Sequence, residues 1–264
     1  MREIAYAAAL TLLLLVDCRQ PRNSGLRVTT TEQVHGGIRF VHLAIGAFDP
    51  AAPLLVALHG RGSSPERFDG VWRDMPFPLE IALPQGFERF RFGWQWFNSP
   101  MGITDDAFAA AVSAAEQKLW PALVEAAHGR KLIVSGHSQG AIMAYVIATR
   151  HPEIVEVLPV SGFGPHSLML RHAPMAPVYA LHGVTDETLS VDLARRTVAD
   201  LRAAGGSAEL REFPGAGHGI TEEMRRDLFA HIAQTADAGQ FRAGSIGIAP
   251  LYPRFDSSVR DSAR

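Results

Sequence analysis

Strand-like apolar runs recur along the chain at 38–45, 54–58, 80–83, 131–135, 156–160, 178–181 and 208–213. Their length and their content of Val, Ile and Leu fit strands buried in a sheet. Between them lie segments whose apolar positions keep helical spacing, at 105–127, 139–150, 190–204 and 222–233, the first two rich in Ala. Strand alternating with helix predicts an α/β architecture, with a mostly parallel sheet and helices on both faces.

The two ends of the chain break this pattern. Arg2 precedes the apolar run AAALTLLLLV and then the sole cysteine, Cys18. At about 10 residues the run is too short to span a bilayer, and it reads as the core of a signal peptide. Residues 1–18 are therefore expected to direct export, with lipidation and membrane anchoring through Cys18 as one form, although Asp17 stands where that signal needs a small residue. A cytoplasmic protein with a short N-terminal helix is the alternative. Residues 19–31 are polar and read as a linker, 32–239 as one domain, and 240–264, with scattered Gly, Pro and Ser, as a tail.

A chain of 264 residues with 47% hydrophobic residues can bury a full core. Its 25 basic and 27 acidic residues are spread without runs of like charge, which offers no electrostatic footprint for nucleic acid. A small-molecule or lipid ester substrate fits this balance better. With one cysteine no disulfide forms within the chain, and no histidine pair has the spacing of a helical zinc site, so neither a metal nor a cofactor is expected.

The chemistry gathers where predicted strands end. Gly136-His137-Ser138-Gln139-Gly140 follows the run LIVS and precedes the helical run AIMAYVIATR. A serine on a tight strand-to-helix turn needs glycine two residues to either side, because side chains there would collide as the backbone reverses. The helix N-terminus also aims its partial positive charge at the oxyanion forming beside Ser138. His59-Gly60-Arg61-Gly62 follows the strand LLVAL, where glycines let the backbone approach the nucleophile. The backbone N–H groups of Arg61 and Gln139 are the candidate oxyanion donors.

His182-Gly183-Val184-Thr185-Asp186-Glu187 follows a later strand. Asp186 is the candidate carboxylate that orients the base, with Glu187 and Asp192 as competitors; it also fits an Asx turn or a helix N-cap. His218 lies on the Gly-rich loop after the last strand and follows Ser and Asp in chain order. His59, His137 and His182 read as packing or backbone-bonding residues. The aromatic stretch 86–98 holds Trp94, Trp96 and Phe97, candidates for an acyl-pocket wall that equally fit a core role. Arg61, Arg89 and Arg91 either meet a phosphate or carboxylate head group or are simply solvated.

HGRGSSPERF, GHSQGA, HGVTD and GAGH together resemble the phospholipase/carboxylesterase branch of the α/β-hydrolase superfamily, which includes acyl-protein thioesterases and lysophospholipases. The resemblance covers roughly residues 38–234. It implies the α/β-hydrolase fold, a Ser138–Asp186–His218 triad, oxyanion donors at Arg61 and Gln139, and hydrolysis of esters or thioesters of small to medium acyl groups through an acyl-enzyme. In that branch a Trp-Phe pair lies beside the acyl site, and Arg61 replaces a residue that is usually hydrophobic. A non-catalytic binding lipoprotein, or a peptidase or lactonase on the same triad, are the rival readings.

Overall fold

A computed structural model describes residues 25–47, 49–99 and 103–238. Ten strands and six helices are formed there: β1 (Val28–His35), β2 (Ile38–Ile45), β3 (Leu54–Leu58), α1 (Pro65–Phe68), β4 (Leu79–Pro84), β5 (Glu88–Phe90), β6 (Gly93–Gln95), α2 (Asp105–Ala127), β7 (Leu132–His137), α3 (Gln139–Arg150), β8 (Glu156–Val160), α4 (His166–Met169), β9 (Val178–Gly183), α5 (Val191–Ala203), β10 (Ala208–Phe213) and α6 (Glu222–Ala238).

Eight strands form one sheet in the order β1-β2-β4-β3-β7-β8-β9-β10. β1 and β4 run antiparallel to β2, and every other pairing is parallel. Alternate residues of β3 show how the sheet is covered. Leu54, Val56 and Leu58 join a core with Val112 and Leu119 of α2, Ile147 of α3 and Leu201 of α5. Leu55 and Ala57 face a second core with Phe68 of α1 and Met224, Leu228 and Ile232 of α6. Side chains that alternate across a strand feed two cores, so both faces of the sheet carry helices, as expected for an α/β-hydrolase fold.

Strand β1 begins at Val28, inside the segment whose composition reads as linker. Its residues are almost all exposed, so no apolar period marks it, and it pairs along its full length with β2. The run Val28–Thr31 is β-branched throughout, which suits a pleated edge.

The expected exported or membrane-anchored location is corrected. Among the described residues no helix is long and apolar enough to cross a membrane. The longest described helix, α2, carries Asp105, Asp106, Glu116, Lys118 and Glu125 and buries one face against the sheet. Residues 1–18, Cys18 included, and the segment 240–264 lie outside the described residues.

Candidate active site

In a parallel sheet the loops at the carboxyl ends of neighbouring strands meet on one edge. Here β3 leads to His59–Gly62, β7 to Ser138, β9 to Asp186 and β10 to His218. Of these strands β3 and β7 are neighbours, as are β9 and β10, and only β8 separates the two pairs.

Ser138 joins β7 to α3 at φ 55°, ψ −116°. A left-handed φ at a non-glycine residue costs roughly 1–2 kcal/mol and persists only where surrounding bonds hold it. They do: Ser138 N donates to Val160 O at 3.0 Å, and its carbonyl accepts from Ala141 N at 3.0 Å and Ile142 N at 3.1 Å. The flanking glycines are obligatory. A Cβ at Gly136 would lie 2.3 Å from Gly140 O, and one at Gly140 would lie 2.1 Å from Leu58 O.

The side chains then form a chain of short contacts. Ser138 Oγ donates to His218 Nε2 at 2.9 Å, and His218 Nδ1 donates to Asp186 Oδ2 at 2.8 Å. The Asp186 side chain is fully buried, and its Oδ1 accepts from the N–H groups of Thr188 and Leu189, each at 2.8 Å. Asp186 therefore closes an Asx-type turn and faces the imidazole at once. Burial opposes its charge, but the bonds from His182, His218 and the Leu189 N–H prevail and hold its carboxyl well below the usual carboxylate range. Of the competitors, Glu187 is exposed and Asp192 pairs with Arg195 at 2.8 Å.

The loop of His218 packs on the loop of Asp186. Thr185 N and Oγ1 both donate to Ala216 O, at 3.0 and 2.9 Å. The two backbones come so close that a Cβ at Gly183 would lie 2.3 Å from Ala216 O. His182 Nε2 lies 2.8 Å from Leu189 O and 3.2 Å from Asp186 Oδ2, bracing the same carboxylate.

The oxyanion-loop candidate sits beside the serine. A Cβ on Gly60 would lie 3.3 Å from Ser138 Cβ. Among the described residues no carbonyl accepts from the backbone N–H of Arg61 or Gln139. The His59 ring is buried against Trp96, and burial pushes it down to about 4, so it is neutral near pH 7. Its Nδ1 donates to Gly60 O at 2.8 Å, and Gly86 N donates to its Nε2 at 3.1 Å.

The aromatic candidates divide. Trp96 and Phe97 are 1% and 4% exposed and belong to the core, Trp96 Nε1 donating to His59 O at 2.8 Å. Trp94, half-buried on β6, carries the Arg89 guanidinium 4.4 Å above its ring. What links these residues to the elbow is the side chain of Gln139, a role that sequence reasoning missed. Its Oε1 accepts from Trp96 N at 2.9 Å, and its Nε2 donates to Phe97 O at 2.8 Å. A polar residue opening an otherwise apolar helix was the available signal, because a buried amide must find partners. Among the described residues no group of His, Cys, Asp and Glu is arranged to hold a metal ion.

Comparison with known proteins bears on the family and the fold. The family model described as Phospholipase/Carboxylesterase matches residues 44–236. A curated Yersinia pestis protein named "Putative carboxymethylenebutenolidase" is 28% identical over 114 residues, 40% of this chain and 43% of that protein, so the match spans under half of that relative's length. Among solved structures, esterase PE8 superposes with a TM-score of 0.64 at 24% identity, covering 79% of this chain and 99% of its own. Zea mays acyl-protein thioesterase 2 superposes with a TM-score of 0.56 at 16% identity, covering 74% of this chain and 98% of its own. The chain belongs to the phospholipase/carboxylesterase family of the α/β-hydrolase superfamily, and its general class is that of an ester-type hydrolase.

Proposed function

We propose that the protein hydrolyses carboxylic esters or thioesters of small to medium acyl groups, with Ser138 as nucleophile, His218 as general base and acid, and Asp186 as the residue that orients the imidazole. The observation that carries the reading is the run of contacts Ser138 Oγ to His218 Nε2 at 2.9 Å and His218 Nδ1 to Asp186 Oδ2 at 2.8 Å, on a backbone strained at the serine.

With its proton on Nδ1 facing Asp186, His218 leaves the Nε2 lone pair for the serine O–H. Nε2 takes that proton as Oγ bonds to the substrate carbonyl carbon, and the carbonyl oxygen becomes an oxyanion. The backbone N–H groups of Arg61 and Gln139 receive it, and each such donor is worth roughly 3 kcal/mol in barrier. Nε2 then passes the proton to the departing oxygen or sulfur as the bond to the acyl carbon breaks, leaving an ester on Ser138. Water, deprotonated by the same nitrogen, releases the acid and restores the serine. Asp186 stays ionised throughout, stabilising the imidazolium.

A second reading keeps the machinery and changes the substrate to a cyclic ester. It is favoured by the 28% identity to the relative named as a carboxymethylenebutenolidase, since a butenolide is a lactone. The deciding experiment is turnover of p-nitrophenyl esters from acetate to palmitate, alongside a butenolide and a saturated lactone, by wild type and Ser138→Ala. Turnover by wild type alone supports the serine mechanism, and the preferred substrate chooses between the open-chain and cyclic readings. Equal turnover by both proteins, or none by either, overturns it.

A further inference from the structure

The β5–β6 hairpin is docked on the candidate oxyanion loop. Gly62 N donates to Trp94 O at 2.8 Å, Trp94 N donates to Ser63 O at 2.8 Å, and a Cβ at Gly62 would lie 3.5 Å from the Phe90 ring. The hairpin brings Phe90 against two guanidinium groups. Arg61 Cζ lies 3.9 Å and Arg91 Cζ 5.5 Å from the ring centroid. The Arg61 group is further held by its Nε, which donates to Gln95 Oε1 at 3.0 Å, and Gln95 is buried.

Two like charges gathered on one ring repel each other, while the ring face attracts each of them. Burial and the neighbouring Arg91 charge pull the Arg61 guanidinium below its ordinary range, and among the described residues no carboxylate pairs with Arg61. Arg91 also holds φ at 53°, a left-handed turn conformation that Gly or Asn adopts at lower cost. A long cationic side chain thus stands where backbone geometry favours a short one. Through Gly60, which abuts Ser138, the Arg61 backbone is one residue from contact with the nucleophile.

We propose that Arg61 and Arg91, gathered on Phe90, form an anion-recognising rim of the active site that receives a carboxylate or phosphate carried by the ester substrate. The proposal rests on the esterase reading of Ser138 and adds the substrate class. A planar guanidinium offers paired N–H donors to such an oxygen pair, and an anion beside Arg61 offsets the burial and the Arg91 charge that oppose its own charge.

The test compares kcat/KM for esters that differ in one charge. p-Nitrophenyl hemiglutarate against p-nitrophenyl butyrate places the anion on the acyl side; 4-carboxyphenyl butyrate against phenyl butyrate places it on the leaving group. The preference for one anionic ester over its neutral partner is expected to fall at least about ten-fold in Arg61→Gln/Arg91→Gln relative to wild type, a ratio in which intrinsic reactivity cancels. In unaltered protein, rising NaCl is expected to raise KM for the anionic ester and not for the neutral one. Turnover of the neutral esters, with a charge preference that neither salt nor the double substitution changes, overturns the rim and leaves the esterase reading standing. If wild type turns over none of these esters, the esterase reading fails, and calorimetric binding of p-nitrophenyl hemiglutarate at low salt reads the rim alone. Binding lost in the double variant supports it, and no binding to wild type overturns it.

Discussion

His137 Nε2 donates to the backbone carbonyl of His218 at 2.8 Å, so the residue before the nucleophile holds the loop that carries the base. The two rings are 5.0 Å apart. Burial, with the adjacent His218 charge, pushes His137 down to about 4 and keeps it neutral, which suits a one-proton donor. His137→Leu keeps the bulk and removes the donor. kcat is expected to fall on the order of 10²-fold through misplacement of the imidazole, with KM for neutral esters nearly unchanged. An unaltered kcat would show that the loop holds its position without this bond.

Asp186 has two separable tasks, the turn through Oδ1 and the imidazole through Oδ2. Asp186→Asn retains an oxygen for the Thr188 and Leu189 N–H groups but replaces the charged acceptor facing His218. kcat is expected to drop on the order of 10⁴-fold, because the tautomer that leaves Nε2 free is no longer favoured. Thermal unfolding should shift far less than it would for Asp186→Ala, which loses the turn as well. Equal melting losses in the two variants would deny the turn its share.

Gln139→Leu fills similar space yet leaves the Trp96 N–H and the Phe97 carbonyl buried without their partner. At roughly 1–3 kcal/mol for each orphaned group, a loss of about 3 kcal/mol is expected from urea unfolding. Activity should fall as well, since the same bonds tie the aromatic segment to the elbow. A loss under about 1 kcal/mol would mean that the segment finds other partners.

The buried histidines define an acid-sensitive window. His59 and His137 are pushed down from 6.5 to about 4 in the folded protein. Above pH 6.5 they are neutral in both states and contribute nothing to the pH dependence. Below that, the unfolded chain takes up two protons that the folded one refuses, and stability falls until about pH 4, by up to roughly 3 kcal/mol for each. Asp186, held below its ordinary range, acts lower still: its stabilisation is present above the usual carboxylate pKa and disappears as pH falls through the folded value. Urea midpoints at pH 7.5 and 4.5 should therefore differ clearly, and His137→Leu should reduce the difference. Identical midpoints would show that these rings protonate freely in the folded state.

Much of the site was legible locally. Glycines at 136 and 140 around Ser138, after an apolar run and before an Ala-rich one, leave the backbone few ways to turn. The same holds for the loops opened by His59 and His182. The aromatic segment was legible only in part. Nothing local says that Trp96 and Phe97 go inward while Trp94 stays half-buried, because that depends on where Gln139 stands. Strand β1 left no apolar period, since an exposed edge strand buries no face of its own.

The order of the buried strands and long helices, the elbow and the catalytic candidates at strand ends were determined by the sequence itself, because periodicity and glycine geometry act over a few residues. The sequence also singled out His218 among the 11 histidines, but only the tertiary structure brings its ring to Ser138, a pair 80 residues apart in the chain. It also set Asp186 apart from its competitors Glu187 and Asp192, and it decided that His137 and Gln139 brace the result. Those meetings are set by strand order and by the demand that buried donors and acceptors find partners, conditions that no local stretch of chain contains.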